Sequence, residues 1–184
     1  MRALASALLM LLAALPVLAD GDRRHVLDPA ASKVYFELRA LGWWPVRGDA
    51  RAEGSVSIRD GLAVIDVVVP LTSLQMNRDG YREWALSPEF FSATAHPQIG
   101  FRAEAIPLAL LRAGGEISGE LQVRGQTRKA RFTLAAGDCA EATVRCRVQA
   151  SGELSRRAFG MRTRRYTLSD RILIDLDLQL VPPQ

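Results

Sequence analysis

Apolar and polar residues alternate along most of the chain, which is the period-two pattern of β-strands that bury one face. The clearest run is 172–180, where isoleucine and leucine on one face alternate with Asp175, Asp177 and Gln179 on the other. Seven further runs also read as strands, at residues 34–39, 54–59, 63–71, 98–105, 117–124, 132–134 and 144–154. Eight strands joined by short links predict an all-β fold, either an antiparallel barrel or a sandwich.

The segment 77–101 does not alternate. It begins with turn-forming residues, and Asp79 is placed to cap a short helix that runs through Trp84 to Leu86. Pro88 ends or restarts that helix, because the residue before a proline is disfavoured in the α region. We therefore expect a short helical insertion near Asn77–Ser92, which would close one end of a barrel or gate its mouth, where binding sites occur. Elsewhere no helix-period pattern is evident, and Gly42–Pro45 predicts a break after the strand at 34–39.

Residues 1–19 read as a secretory signal peptide. Arg2 is followed by an uncharged apolar run to Leu15, and a small residue, Ala19, stands at the expected cleavage point. Cleavage there leaves residues 20–184 as one domain. Export predicts an oxidising compartment, so Cys139 and Cys146 are expected to form a disulfide across a hairpin, with a free or intermolecular thiol as the alternative.

The charge balance narrows the choice of partners. Loss of Arg2 with the leader lowers the formal net charge from +4 to +3, and acidic and basic residues are interleaved. This predicts no nucleic-acid binding. Eight strands behind a leader are also compatible with an outer-membrane barrel. However, aromatic residues are 7 % of the chain and form no pair of girdles, so a soluble barrel without a membrane span is favoured.

The sequence gives little support for catalysis or metal binding. Its two histidines, His25 and His96, are not part of a cluster with metal-ligand spacing, and no nucleophile or phosphate-loop motif is present. We therefore predict no catalytic residue, no metal and no cofactor. The pairs Arg78–Asp79 and Arg156–Arg157 have two interpretations. Either they are solvated charges and a helix cap, or an arginine at a barrel mouth binds the head group of an amphiphile.

Several motifs occur together in an order and spacing that resembles the YceI family of exported bacterial proteins. They are Asp28–Pro29, Ser32–Phe36, Gly48, Gly54, Arg78–Asp79, Glu89–Phe91, His96–Phe101, Gly119–Lys129 and Arg156–Met161. The resemblance covers nearly the whole chain after the leader. It implies an eight-stranded, lipocalin-like antiparallel barrel in the periplasm that holds one isoprenoid chain, such as a polyprenyl phosphate or quinone, without catalysis.

The tunnel implied by this resemblance would be lined by Phe36, Leu38, Trp43, Trp44, Phe90, Phe91, Ile99, Phe101, Phe132, Phe159 and Met161. Its head-group contacts would be Arg78, Asp79 and Arg156. The chain departs from the family pattern after Arg78–Asp79, where Gly80–Trp84 replaces the usual residues, and at Ala158, where an acidic residue is common. These departures affect the mouth and the lining, and they leave the ligand's head group and length open.

Two other functions remain as alternatives. One is a β-domain with a packed core that acts by protein contact, for which we expect an exposed apolar patch and no tunnel. The other is a small hydrolase or isomerase for a lipophilic substrate, with Asp79 or His96 as the base. A homodimer also stays open.

Overall fold

The computed structural model describes residues 23–78, 80–137 and 145–182. The predicted leader with its cleavage after Ala19, the capping residue Asp79 and the cysteine Cys139 lie outside the described residues. The signal peptide, the cap and the disulfide therefore stay predictions.

The described residues form eleven strands, two short α-helices and two 3-10 helices. The strands are β1 (Arg23–Leu27), β2 (Lys33–Ala40), β3 (Trp44–Arg51), β4 (Glu53–Arg59), β5 (Leu62–Pro70), β6 (Gln75–Met76), β7 (Gln98–Pro107), β8 (Gly115–Val123), β9 (Gln126–Leu134), β10 (Cys146–Ser155) and β11 (Arg171–Val181). The α-helices are α1 (Tyr81–Leu86) and α2 (Ala109–Ala113), and the 3-10 helices are Leu71–Ser73 and Arg156–Phe159.

The strands close into an eight-stranded antiparallel barrel, as the alternation and the family resemblance predict. Neighbouring strands follow the order β1, β4, β5, β7, β8, β9, β10 and β11. The barrel closes where Val26 and Leu27 of β1 pair with Val181 and Leu180 of β11. Closure leaves no exposed sheet edge around this ring, which is the usual way in which all-β domains avoid edge-to-edge association.

Two walls of the barrel are each made of two consecutive strands, β1 with β2 and β3 with β4. β2 pairs with β11 beyond the end of β1, and β3 pairs with β2 beyond the start of β4. A turn at residues 28–32 separates β1 from β2, and there the amide of Ala30 donates to the Asp28 carboxylate at 3.0 Å. Ala52 separates β3 from β4, and its amide donates to the carbonyl of Ser32 at 3.0 Å. The break between β1 and β2 and the break between β3 and β4 thus lie side by side.

Strand β3 was not predicted. The chain does break after β2, at residues 41–43, but the predicted break extends too far. Trp44 and Pro45 belong to β3 and lie opposite Ala40 and Arg39 of β2. Two inward positions of β3, Gly48 and Ala50, are small, and the ring of Phe36 occupies the space beside Gly48. A Cβ on Gly48 would lie 2.4 Å from Cζ of Phe36. Without large apolar residues at these positions, the strand has no period-two signature.

The helical insertion lies where it was predicted, since α1 falls within residues 77–92. A second helix, α2, connects β7 to β8 and was not predicted. With five residues, α2 is too short for a 3.6-residue period to be visible in the sequence. The loops that end β2, β5, β8 and β10 meet at one end of the barrel with α1, and we call this the insertion end. It comprises residues 41–43, 71–97, 124–125 and 156–170.

Candidate functional site

An apolar cavity of about 110 Å³ lies inside the barrel, towards the insertion end. Inward-facing residues of the strands form its walls, and residues of the insertion end close it. The residues that line it are Val34, Phe36, Ala50, Val67, Val69, Leu71, Leu74, Phe90, Phe91, Ile99, Phe101, Leu121, Val123, Phe132, Leu154, Arg156, Phe159, Met161, Ile172, Ile174 and Leu176. Its volume is slightly below the roughly 150 Å³ of an engineered apolar cavity that binds benzene.

Aromatic rings shape the two sides of the cavity. Phe101 of β7 and Phe132 of β9 meet edge to face at 5.2 Å between centroids, across the intervening strand β8. This contact requires a glycine on β8, because a Cβ on Gly119 would lie 2.6 Å from Cζ of Phe101. On the other side, Phe90 and Phe91 pack edge to face at 4.8 Å. The Phe91 amide donates to the carbonyl of Ala85 at the end of α1, which fixes the ring pair to the helix.

Arg156 is the one charged residue among the described residues that line the cavity, and its side chain is fully buried. Its guanidinium donates to four main-chain carbonyls. Nε donates to Ser169 at 2.8 Å, Nη1 to Met161 and to Thr163, and Nη2 to Leu168 at 3.1 Å. These bonds hold the loop 161–169 against the barrel. Burial lowers the pKa of Arg156, while the carboxylate of Asp170 acts in the opposite direction.

Asp170 is the acidic partner in this part of the insertion end. Its carboxylate accepts hydrogen bonds from the Ser155 hydroxyl at 2.8 Å and from the Arg157 amide at 3.0 Å. Burial alone would raise the pKa of Asp170. These hydrogen bonds and the charges of Arg157 and Arg156 outweigh burial, so the pKa lies below its ordinary value.

We expect Asp170 to make the fold sensitive to acid. Because the folded state lowers the pKa of Asp170, its stabilisation is complete above the unfolded-state pKa of about 3.9 and is lost as the pH falls through the lower folded-state value. Asp170→Asn should therefore cost about 1 kcal/mol at pH 7, and the difference from wild type should be smaller at pH 3. Urea denaturation at both pH values measures it. Asp175→Asn, on the exposed face of β11, is the control. An equal cost of Asp170→Asn at both pH values would contradict the prediction.

The structure places eight of the predicted lining residues at the cavity wall. These are Phe36, Phe90, Phe91, Ile99, Phe101, Phe132, Phe159 and Met161. It does not place Leu38, Trp43 or Trp44 there. Leu38 is buried in the core beside Val46, while Trp43 is 64 % exposed at the tip of the β2–β3 turn. Trp44 is half-buried outside the cavity, and its ring packs against Trp43 at 5.1 Å.

The three predicted head-group residues have different environments. Arg156 lines the cavity but its guanidinium is engaged by the loop carbonyls described above. Arg78 is exposed, and its guanidinium carbon lies 4.2 Å from the ring centroid of Trp44, outside the cavity. Asp79 lies outside the described residues. His96, the other candidate base, is next to Gly125 in the loop between β8 and β9, and it does not line the cavity.

The sequence prediction missed many of the lining residues, although their signal was present. Most of the missed residues are aliphatic and lie at the inward positions of alternating strands. They are Val34, Ala50, Val67, Val69, Leu71, Leu74, Leu121, Val123, Leu154, Ile172, Ile174 and Leu176. A prediction that included every inward-facing apolar residue of the alternating strands near the insertion end would have named nearly all of them.

The described residues contain neither a metal-ligand cluster nor a membrane-spanning helix. No group of three or more His, Cys, Asp or Glu side chains in the described part of the chain is arranged to hold a metal ion. In residues 23–78, 80–137 and 145–182, no helix has the length and apolar character needed to cross a bilayer.

Comparison with known protein families shows to which family the chain belongs. The sequence profile of the YceI-like domain matches residues 25–180, which is nearly the whole described region. The chain belongs to the YceI family. The motifs quoted for the resemblance are thus those of a true family member. Curated protein sequences gave no significant match.

Several solved structures share this fold at low sequence identity. BcnA from Burkholderia cenocepacia is 18 % identical, with a TM-score of 0.70 over 83 % of this chain and 98 % of BcnA. A polyisoprenoid binding domain from Saccharophagus degradans, implicated in plant cell wall breakdown, is 16 % identical, with a TM-score of 0.67 over 86 % of this chain and 98 % of that domain. The YceI protein of Campylobacter jejuni is 14 % identical, with a TM-score of 0.57 over 74 % of this chain and 84 % of its own. At such identities the likeness establishes the fold.

Proposed function

We propose that this protein binds the apolar tail of an isoprenoid-type lipid, a polyprenyl phosphate or a quinone, inside its barrel and carries it through the periplasm. The observation that carries the proposal is the cavity, whose described lining is apolar apart from Arg156. The solved domain from Saccharophagus degradans, which has the same fold, is described as polyisoprenoid-binding. The leader-like residues 1–19 support export.

Burial of the tail supplies the binding energy in this proposal. Transfer of apolar surface from water contributes about 0.8 kcal/mol for each buried CH₂ group, so an isoprene unit of five carbons contributes roughly 4 kcal/mol before the costs of association. The cavity of about 110 Å³ takes a short apolar group as it stands. A longer tail therefore has to displace lining side chains, and half-buried residues such as Phe36, Leu154 and Ile174 are the ones with room to move.

We propose no catalytic step. Among the described residues that line the cavity, none carries a carboxylate or an imidazole, so no general base faces a bound tail. A carrier needs no such group. It must bind the tail tightly enough to exclude water and release it elsewhere.

Native mass spectrometry of the protein purified from the periplasm tests the proposal. We expect a discrete adduct, and organic extraction should return an isoprenoid lipid of the same mass. Incubation of stripped protein with isoprenoid quinones of one to ten isoprene units should restore the adduct and show which tail length the barrel accepts. A protein that carries no lipid and takes up none of the series would rule the proposal out and favour the protein-contact alternative.

A further inference from the structure

The three most exposed large apolar side chains of the described residues all lie at the insertion end. Leu41 and Trp43 are each 64 % exposed and Tyr166 is 83 % exposed, whereas Tyr35, the most exposed aromatic residue on the barrel wall, is 42 % exposed. Trp43 and Trp84 also lie at this end, and Trp44, the first residue of β3, directly follows it. We call the set Leu41, Trp43, Trp44, Trp84 and Tyr166 the aromatic rim.

The loops that carry the aromatic rim form one surface. The Leu41 amide donates to the carbonyl of Thr167 at 2.7 Å, and Ala40 forms an isolated β-bridge with Leu168. Between the two loops lies a groove of about 290 Å³, lined by Ala40, Leu41, Val46, Tyr81, Trp84, Arg164, Thr167 and Leu168. The Trp84 ring also packs on Phe90 at 4.9 Å, and Phe90 lines the cavity. The packed rings of Trp84 and Phe90 therefore separate the groove from the cavity.

Arginines are interleaved with the aromatic rim. The guanidinium carbon of Arg164 lies 5.2 Å from the ring centroid of Trp84, and that of Arg165 lies 4.5 Å from the ring centroid of Tyr166. With Arg78 on Trp44, three arginines thus lie over rim rings. Such contacts keep each cation beside an apolar ring while its outer donors stay available to a further partner.

The positive charge around the rim is only partly compensated. Residues 156–166 contain five arginines and no carboxylate. Arg164 approaches Glu89 at 3.8 Å, and Arg157 approaches Asp170 at 3.5 Å. No carboxylate of the described residues lies within 4 Å of Arg162 or Arg165, both of which are exposed. Several arginines elsewhere on the barrel do have acidic partners, as in the pairs of Arg102 with Asp66 and Arg47 with Glu37.

We propose that the insertion end docks on the surface of an anionic phospholipid bilayer. Tryptophan and tyrosine are enriched at the head-group level of bilayers, and exposed arginines near that level bind anionic lipid phosphates. A surface with both features, and with apolar tips that reach into the interface, has the chemistry of a peripheral membrane contact. The inference extends the proposed function, because docking brings the cavity end to the lipids. It can nevertheless be tested alone, since vesicle binding requires no bound tail.

Co-sedimentation with vesicles tests the docking surface. The protein purified from the periplasm is mixed at 0.15 M salt with sucrose-loaded vesicles of phosphatidylcholine alone or with 30 % phosphatidylglycerol. We expect binding to the anionic vesicles and little binding to the neutral ones. The double variant Arg162→Gln/Arg165→Gln should bind roughly 30-fold more weakly, because each arginine contributes about fivefold near an anionic surface. Trp43→Ala/Tyr166→Ala should lose binding through the apolar contacts.

A matched control has the same residue types at other places on the surface. Tyr35→Ala/Arg112→Gln changes an aromatic residue of the barrel wall and an arginine of α2, and it should bind vesicles like wild type. Tryptophan emission gives an independent readout, since all three tryptophans belong to the aromatic rim, and brominated lipids should quench it on docking. Wild-type protein that stays in solution with anionic vesicles, or a control that loses as much binding as the rim variants, would overturn the inference. A lipid adduct in native mass spectrometry together with absent vesicle binding would overturn docking alone and leave the carrier proposal standing.

Discussion

Replacing Arg156 by alanine is expected to be the most destabilising single change in the insertion end. The substitution removes the donors for the carbonyls of Met161, Thr163, Leu168 and Ser169, and it leaves a void beside the cavity. A buried polar group left without its partner costs about 1–3 kcal/mol, and water will reach some of these carbonyls as the loop loosens. We expect a loss of about 4 kcal/mol in the free energy of unfolding, measured by urea denaturation.

The neighbouring arginine supplies the control for this prediction. Arg157 is exposed and forms a surface ion pair with Asp170, so Arg157→Ala should cost less than about 1 kcal/mol. Arg156→Lys should lie between the two, because an ammonium donates three hydrogen bonds from one point and cannot span carbonyls that surround a planar guanidinium. Equal stabilities of the Arg156→Ala and Arg157→Ala variants would show that the loop does not depend on the buried guanidinium.

The second large effect is expected from filling the cavity. Leu154 of β10 faces the cavity and is half-buried, so Leu154→Trp should place an indole in the space that a lipid tail would occupy. We expect at least a 100-fold loss of affinity for an isoprenoid lipid, corresponding to about 2.7 kcal/mol or more of lost tail burial. Titration of stripped protein with a short-chain quinone, read by native mass spectrometry, measures the affinity.

Overpacking is the risk in this experiment, and the control must carry the same side chain. Thr133→Trp places an indole on the exposed face of the adjacent strand β9, where it cannot reach the cavity. It should bind lipid like wild type. Far-ultraviolet and near-ultraviolet circular dichroism show whether each variant is folded. A folded Leu154→Trp variant with wild-type affinity would place the tail outside this cavity.

The strands that alternate strongly could be predicted from the sequence, and the small or charged inward positions could not. In β11 the alternating isoleucines and leucines predict both the strand and the face that points inwards. In β3, Gly48 and Ala50 face inwards where the Phe36 ring fills the space, and only the neighbouring strand reveals why they are small. The closed barrel could still be predicted without β3, because β3 and β4 belong to the same wall and β4 was predicted.

The candidate site was predicted in part for the same physical reasons. Phenylalanines near the insertion end were expected at the cavity and are found there. Trp43 was expected beside them, but it lies at a three-residue turn in which Leu41 and Gly42 have φ values of 51° and 79°, and the turn carries its side chain outwards. Arginine is exposed by default, so nothing in the sequence indicated that Arg156 would be fully buried while Arg157 is exposed.

The bonding of Arg156 has a consequence for how freely the sequence of the loop 161–169 can change. Every acceptor that its guanidinium contacts is a main-chain carbonyl, so the path of the loop 161–169 does not depend on which side chains the loop carries for those contacts. Exposed positions such as 162, 164, 165 and 166 can therefore change in charge, size and polarity while one buried residue preserves the backbone beneath them. The surface of this loop can therefore change without any change in the interior of the barrel.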